Sequence, residues 1–395
     1  MSNYYRQIVE KLDNLVKSRF IEMFGTREEY ADRWQMKPFT FCCDVLYGYP
    51  FNSELFNDNG EGMPLIRVRD INTGFSNTYT TEEVSPIYQI HNGDILVGMD
   101  GDFNARVWSS GTALLNQRTC KMKGKDGIIN DLFMLHFLNP ELLEIHKKTA
   151  STTVKHLSAK EINKMQMPLP PKELQDHFAA FVIQVDKSKF TAQQAAEKYD
   201  QLVKSRFIEM IKSKNYPLKT IGESCVATRV GPFGSALHKT EMVPEGPVFV
   251  LGTDNAVDNE FKVYEERYIS LEKYSELERY TVVPGDIIIT MMGTIGRSAV
   301  IPENFKKSII SSHLSCLSVD TKMVLPEYLQ KCMVLDHDVS KHLDSNKKGS
   351  IMSGLNLKII KAIPFSCPPI NVQKQFMTFV EQVDKSKYVD PKRGE

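Results

Sequence analysis

The sequence predicts an α+β protein in which two β-rich units are separated by long coiled-coil helices, in a circular pseudo-twofold arrangement. Three observations predict it. First, KLDNLVKSRFIEM at 11–23 returns as KYDQLVKSRFIEM at 198–210, identical at 11 of 13 positions. Second, PPKELQDHFAAFVIQVDKSKF at 170–190 returns as PPINVQKQFMTFVEQVDKSKY at 368–388. In mid-chain these blocks adjoin, whereas their second copies stand at opposite termini. Position 190 maps to Tyr388 and position 191 to Tyr4, so joining the ends would complete the copy without a gap. Third, the stretches between the helical blocks hold short apolar runs broken by Gly, Asn and Asp, a strand-and-turn pattern. A module duplicated in this way suits a two-part target or two identical partners.

The central block, 172–214, reads as one helix. Phe178, Val185, Ala192 and Tyr199 recur every seven residues, and Phe181, Ser188, Ala195 and Leu202 are expected to form a second seam, continued by Val203, Phe207 and Met210. Pro170–Pro171 precede it and Tyr216–Pro217 follow it. Ile8, Leu12, Leu15 and Val16 place a similar stripe in 1–24, and Phe376, Phe379, Val380 and Val383 in 364–388, with Pro391 as the stop. The economical packing is an antiparallel pair, the central helix against two collinear terminal halves. The ends near Tyr4 and Tyr388 should then meet. Polar positions repeat too: Lys17, Ser18 and Arg19 return as Lys204, Ser205 and Arg206. Core packing alone does not require that, which points to a shared external task.

The intervening units are 33–157 and 215–355. PLIRVR at 64–69, DILVG at 94–98, the run at 248–251 and DIIIT at 286–290 read as strands. The units match each other weakly. Trp34–Lys37 aligns with Tyr216–Lys219, Phe51-x-Ser53-x-Leu55 with Phe233-x-Ser235-x-Leu237, and Gly93–Gly101 with Gly285–Gly293. Cys120 is paired with Cys316, and Leu157–Pro171 with Leu355–Pro369. The scaffold is shared and the decoration differs.

Composition bounds the function. At 395 residues the chain exceeds a single core, and 42% hydrophobic with 25% charged is ordinary for a globular protein. No apolar run has the ~18 residues of a membrane span, and the N-terminus has no apolar signal core, so the cytoplasm is expected. Seven cysteines without a Cys-x-x-Cys pair read as buried reduced thiols. Net charge is zero, which disfavours a tight grip on phosphates by this chain alone.

Catalytic patterns are missing. No Asn-Pro-Pro-aromatic motif occurs; Asn139-Pro140 reads instead as a helix start. No Gly-rich loop has the form a nucleotide or methyl donor needs. Asp100-x-Asp102-x-Asn104 lacks the later Gly and Glu of a calcium loop and reads as a polar turn. His337 and His342 have no metal-ligand spacing, and no metal site or cofactor is expected on this chain.

With these motifs in place, the chain resembles the DNA-specificity subunit of type I restriction–modification systems over essentially its whole length. GPFGSALHK at 231–239, PGDIIITMMGTIGRSAVIP at 284–302 and LNLKIIKAIPFSCPP at 355–369 resemble a target-recognition domain of that family. So do LIRVRDI at 65–71, GDILVGMDGDFNARVW at 93–108 and LLNQRTC at 114–120. The resemblance implies two target-recognition domains that read a bipartite double-stranded DNA site. It also implies helices that hold two methyltransferase subunits and set the gap, and restriction or motor subunits where the system has them. S-adenosylmethionine would then sit on the partner methyltransferase.

Residues whose chemistry suits bases or phosphates are Arg67, Arg69, Asn104, Arg106, Asn116, Gln117, Arg118 and Lys155 in the first unit. In the second they are Arg229, His238, Lys239, Arg297, Ser312, His313, Lys347 and Lys348. Asn and Gln suit adenine, Arg suits guanine, and Lys suits phosphate. Arg67 and Arg69 are expected to share one face of a strand. Candidate partner contacts on the helices are Lys17, Arg19, Phe20, Phe181, Val185, Tyr199, Lys204, Arg206, Phe207, Phe379 and Val383. Three other readings stay open: a half-specificity or phase-variable adaptor, a fragment of a fused methyltransferase-nuclease, and a scaffold for proteins alone. The start at Met1 and the closed repeat weigh against the fragment.

Overall fold

In the first unit, strands Cys43–Tyr47, Thr119–Gly124, Ile95–Gly98 and Ala105–Val107 lie in that order in an antiparallel sheet. Beside it is a five-stranded sheet ordered Phe56–Asn57, Tyr79–Thr80, Met63–Ile66, Ala113–Leu115 and Gln89–Ile90. Its pair Met63–Ile66 and Ala113–Leu115 is parallel. A ribbon of Met36–Pro38 with Gln166–Pro168 closes the unit. This is a computed structural model, and it describes residues 3–149, 155–233, 236–347 and 355–386. The chain divides into two compact units, one over 6–193 and one over 194–395 with the first five residues.

The second unit repeats the plan. Cys225–Val230, Leu314–Val319, Ile287–Thr290 and Ser298–Val300 form the antiparallel sheet in the same order. Tyr268–Ile269, Val248–Leu251, Ser308–Ile310 and Thr281–Val282 form the other, with Val248–Leu251 parallel to Ser308–Ile310. The ribbon is Leu218–Thr220 with Pro364–Ser366. The protein is therefore α+β, with β-rich units and long helices.

The apolar runs become strands because every side chain in Ile95–Gly98 and Ile287–Thr290 is buried. Each run starts at a Gly-Asp turn. Gly93 and Gly285 take φ of +96° and +83°, where a side chain would be strained. The following carboxylate accepts from the turn's own backbone, His91 N to Asp94 at 2.8 Å and Val283 N to Asp286 at 3.0 Å. Two further glycines are needed for close approach. A Cβ on Gly48 would lie 2.0 Å from the Asn116 carbonyl, and one on Gly231 would lie 1.9 Å from that of Ser311.

A buried glutamine in each unit ties the helix after the Pro-Pro pair to the sheet. Gln175 donates to the carbonyls of Ile128 and Pro170 at 3.1 and 2.9 Å and accepts from Asn130 N at 2.8 Å. Gln373 donates to Met323 and Pro368 at 3.0 and 2.8 Å and accepts from Leu325 N at 2.9 Å. Those backbone groups would otherwise be buried without partners.

The repeated helical blocks form Asn3–Phe24, Lys172–Met210 and Ile370–Ser386. The central one has 39 residues, about 58 Å at 1.5 Å each. In the first unit its start runs antiparallel to Asn3–Phe24. Phe178 meets Phe20 at 5.3 Å between ring centroids, and Lys189 Nζ reaches Asp13 at 2.7 Å. In the second unit, Phe207 meets Phe376 of the last helix at 5.6 Å. The buried seam is Phe178, Val182, Val185, Ala196, Val203 and Phe207. The expected second seam is therefore corrected: its members lie four residues after the first, not three, so Ser188 and Leu202 are exposed. Tyr388 lies outside the described residues, so its approach to Tyr4 is not described.

Other expectations are also corrected. The strand Met63–Ile66 ends before Arg67, which precedes a helix, Val68–Thr73. Arg67 and Arg69 therefore do not share a strand face, and Asp70 terminates the strand by accepting from Arg67 N at 2.8 Å. Asn139 is no helix start. It lies inside Asp131–Lys148 together with Pro140, and its amide brackets the backbone of Ala105 at 2.8 and 3.2 Å. Cys120 pairs across the sheet with Val97, while Cys316 pairs with Ile288. The hydrogen bonds that equate Met99 with Met291 align Lys121 with Cys316, so the cysteine match is one residue out of register. All seven cysteines are free thiols, and burial pushes Cys120 up to about 12.

Candidate nucleic-acid interface and helical docking faces

At one end of the four-stranded sheet in each unit, three backbone segments converge. Met99 N donates to the Arg118 carbonyl at 2.9 Å, and Leu157 N donates to Met99 at 2.7 Å. In the second unit Met291 N donates to His313 and Leu355 N to Met291, both at 2.9 Å. The turn 116–119 closes from Thr119 N to Asn116 at 3.2 Å, and the turn 311–314 from Leu314 N to Ser311 at 3.2 Å. The hairpins close from Gly98 N to Asn104 at 3.2 Å and from Thr290 N to Arg297 at 2.8 Å. These bonds equate Asn104 with Arg297, Asn116 with Ser311, Gln117 with Ser312 and Arg118 with His313. Gln117, Arg118, Arg297 and His313 are exposed.

Arg118 belongs to an exposed polar cluster. Its Nη1 lies 3.2 Å from both ring nitrogens of His156, and its Nε lies 3.8 Å from Asp100. Asp100 Oδ1 is 2.6 Å from His156 Nδ1. Asn104 contacts the Asn72 side chain. Arg106 is exposed on the strand opposite Leu96. Arg67 is exposed, and Arg69 reaches Thr78 at 3.3 Å and Asp70 at 3.5 Å. His238 and Lys239 are exposed on a short helical turn, with Glu241 accepting from His238 N at 2.6 Å. Ser312 is half-buried.

Some candidates are occupied elsewhere. Arg229 is corrected from a base reader to a half-buried residue whose guanidinium is held by its own sheet. Its guanidinium donates to Thr281 O at 2.5 Å, Asp286 at 3.1 Å and Ser318 at 2.7 Å. Asn116 is buried, and its side chain accepts from Gln117 N at 2.8 Å, so it shapes the turn. Lys155 donates to the His146 carbonyl in the last turn of Asp131–Lys148, a favourable place for a cation. The side chain of Lys347 and the whole of Lys348 lie outside the described residues.

The helical candidates divide likewise. Phe20, Val185, Phe207 and Val383 are buried in the cores of their own units, which corrects their assignment as partner contacts. Phe181, Tyr199 and Phe379 are half-buried. Arg19 lies over the Phe181 ring at 6.0 Å and pairs with Glu22 at 2.8 Å. Arg206 lies over Phe379 at 5.5 Å and pairs with Glu209 at 2.8 Å. Lys17 and Lys204 are exposed. Sequence reasoning missed the apolar part of this face. Leu15 and Leu202 are both 48% exposed, and Ile21 and Ile208 both 50%. Their identity in both copies is the available signal; the seven-residue spacing alone puts Leu15 and Leu202 inside.

Among the described residues, no group of three or more His, Cys, Asp or Glu could hold a metal ion. No helix there is long and apolar enough to cross a membrane.

Two β-rich units on repeated helices define a class, and the sequence family agrees. The type I restriction modification DNA specificity domain matches residues 32–198 and 247–388. The chain belongs to this family. It is 28% identical over 379 residues to the EcoBI specificity subunit of Escherichia coli, covering 89% of this chain and 79% of that subunit. The MjaVIII specificity subunit of Methanocaldococcus jannaschii is 23% identical over 193 residues, 47% of this chain and 42% of that protein. The solved S subunit of a type I system from M. genitalium is similar with a TM-score of 0.49 at 14% identity, covering 90% of each chain.

Proposed function

We propose that this chain is the subunit that selects DNA sequence for a type I restriction–modification system. One β-rich unit reads each half of a bipartite double-stranded site, and the helices hold two methyltransferase subunits. The observation that carries this reading is a contrast. The converging sheet end is built twice on one backbone plan with different side chains, half-buried Asn104 against exposed Arg297 and Arg118 against His313, both exposed. The exposed helical face is built twice with the same ones, Leu15, Lys17 and Ile21 against Leu202, Lys204 and Ile208. Two different targets and one kind of partner fit that contrast.

In this reading the chain transfers no methyl group itself. S-adenosylmethionine and the catalytic residues belong to the methyltransferase, and any motor-nuclease subunits act where this chain directs them. Arg67, Arg69, Arg106, Gln117, His238, Lys239 and Ser312 remain candidates for base or phosphate contacts. With zero net charge, the isolated chain binds DNA weakly, and affinity rises when a methyltransferase supplies cations for the phosphates.

Single-molecule sequencing of methylated adenines, in a host with and without the gene, tests the reading. One bipartite motif should vanish with the gene; an unchanged set of methylated sites would overturn it. Replacing Leu15, Ile21, Leu202 and Ile208 with aspartate should abolish co-purification with the methyltransferase while leaving the fold intact, because these side chains already face solvent.

A further inference from the structure

We propose that one equivalent turn position in each β-rich unit determines base specificity, Arg118 in the first and His313 in the second. This rests on the reading that both units face DNA, and it names the residue that discriminates.

The two positions share their anchors. Each carbonyl accepts from the methionine just past the neighbouring strand, at 2.9 Å, and each turn closes with a 3.2 Å hydrogen bond. In front of each turn stands a glycine, Gly48 or Gly231, where any Cβ would collide with the turn's backbone. None of these contacts uses the side chain at 118 or 313. The anchoring bonds can therefore stay while the side chain changes, and it has changed from a guanidinium to an imidazole. Both are exposed.

Arg118 has a second mark. Its φ is +67°, a left-handed conformation uncommon for a bulky residue, whereas His313 does not share it. The guanidinium is positioned by Asp100 and His156 at the distances given above, yet it remains 55% exposed. An ion pair that open to solvent is weak, so a base edge can take the guanidinium over. A planar fork of N–H donors fits O6 and N7 of guanine. A neutral imidazole carries one donor and one acceptor on nitrogens that point apart, so His313 presents a single group to a given base edge.

The test uses the full chain assembled with its methyltransferase and a randomised DNA pool, with methylated sites sequenced. Arg118→Ala should reduce discrimination at one base of one half-site by about five- to hundredfold, leaving the other half unchanged. His313→Ala should do the same in the other half. Arg118→Asn serves as a second variant, because Asn tolerates the left-handed backbone if Ala there disturbs folding. A motif unchanged in Arg118→Asn and His313→Ala complexes would overturn the inference, as would loss of discrimination in both halves from either variant. A wild-type complex that methylates no bipartite motif would instead overturn the functional reading beneath it.

Discussion

In the first unit, Asp94 caps its Gly-Asp turn and meets Lys121 at 3.3 Å, with both side chains 24% exposed. In the second unit, Asp286 caps the same turn at 3% exposure, meets Arg229 at 3.1 Å and accepts from Ser318 at 2.6 Å. One backbone plan thus carries a partly solvated pair in one copy and, in the other, a network built on a buried carboxylate with a cation 23% exposed. The contacts that survive duplication are those made by backbone, by glycine, by the capping aspartates, by the glutamine clamps and by the stacked arginines. The ionic partners of the capping aspartates have been rebuilt around them. A scaffold held this way accepts new surface chemistry without losing its shape, which is what two readers on one plan require.

The largest expected effect separates the two pairs. Arg229→Ala leaves the Asp286 carboxylate buried without its cation and should cost about 3–5 kcal/mol. Lys121→Ala should cost about 1 kcal/mol or less, because its pair is partly solvated. Denaturant unfolding of both variants measures the difference, and equal costs would erase the contrast. Where the units agree, the effects should agree. Gln175→Ala and Gln373→Ala each strand three buried backbone groups, so each should lose roughly 2–4 kcal/mol. A large loss from only one of them would mean that the clamps are not equivalent.

Acid should discriminate between the units next. Burial lowers the pKa of His136 from its ordinary 6.5, against the opposing pull of Asp186 and Asp13. Its ring packs edge-on to Phe178 at 5.2 Å. Counting from the clamped residues Asn130 and Leu325, the second unit carries Lys331 at this place. The unfolded chain binds a proton at His136 before the folded one does. That contribution to stability is complete above about pH 6.5 and is lost as pH falls through the depressed folded value. Unfolding followed from pH 7.5 to 5 should show the first unit weakening, and His136→Phe should flatten that slope. An unchanged slope would remove His136 as the cause. The smallest effect is the stacked arginines. Arg19→Ala and Arg206→Ala should each cost about 0.5–1 kcal/mol, matched between copies, in the same unfolding assay.

Much of the architecture was legible because repeats are read by identity, without any model of packing. The helical blocks, the two β-rich stretches and the Gly-Asp turns all follow from them. Legibility failed where one residue of register decides the outcome. Cys120 and Cys316 look like partners in sequence, yet a one-residue slip in a strand changes the face. Leu202 fits a seven-residue spacing, but only the 4–3 alternation with Phe178 and Val185 buries a side chain. Arg67 and Arg69 read as strand because their neighbours are apolar, while Asp70 caps a helix there. The candidate site was half legible. Residue type picked out Arg118 and His313, but it picked out Arg229 equally, and only the bonds of Arg229 to Thr281, Asp286 and Ser318 separate it from an exposed candidate. The exposure of Ile21 and Ile208 follows from tertiary packing that no local pattern encodes.

The central claim is that each β-rich unit reads its own half-site while the helices serve both. The most direct measurement replaces residues 33–157 with the corresponding segment of a family member of different specificity, then maps methylated adenines genome-wide. The account predicts a new sequence in one half of the motif and the original sequence in the other. A change in both halves together, or in neither while methylation persists, would contradict it.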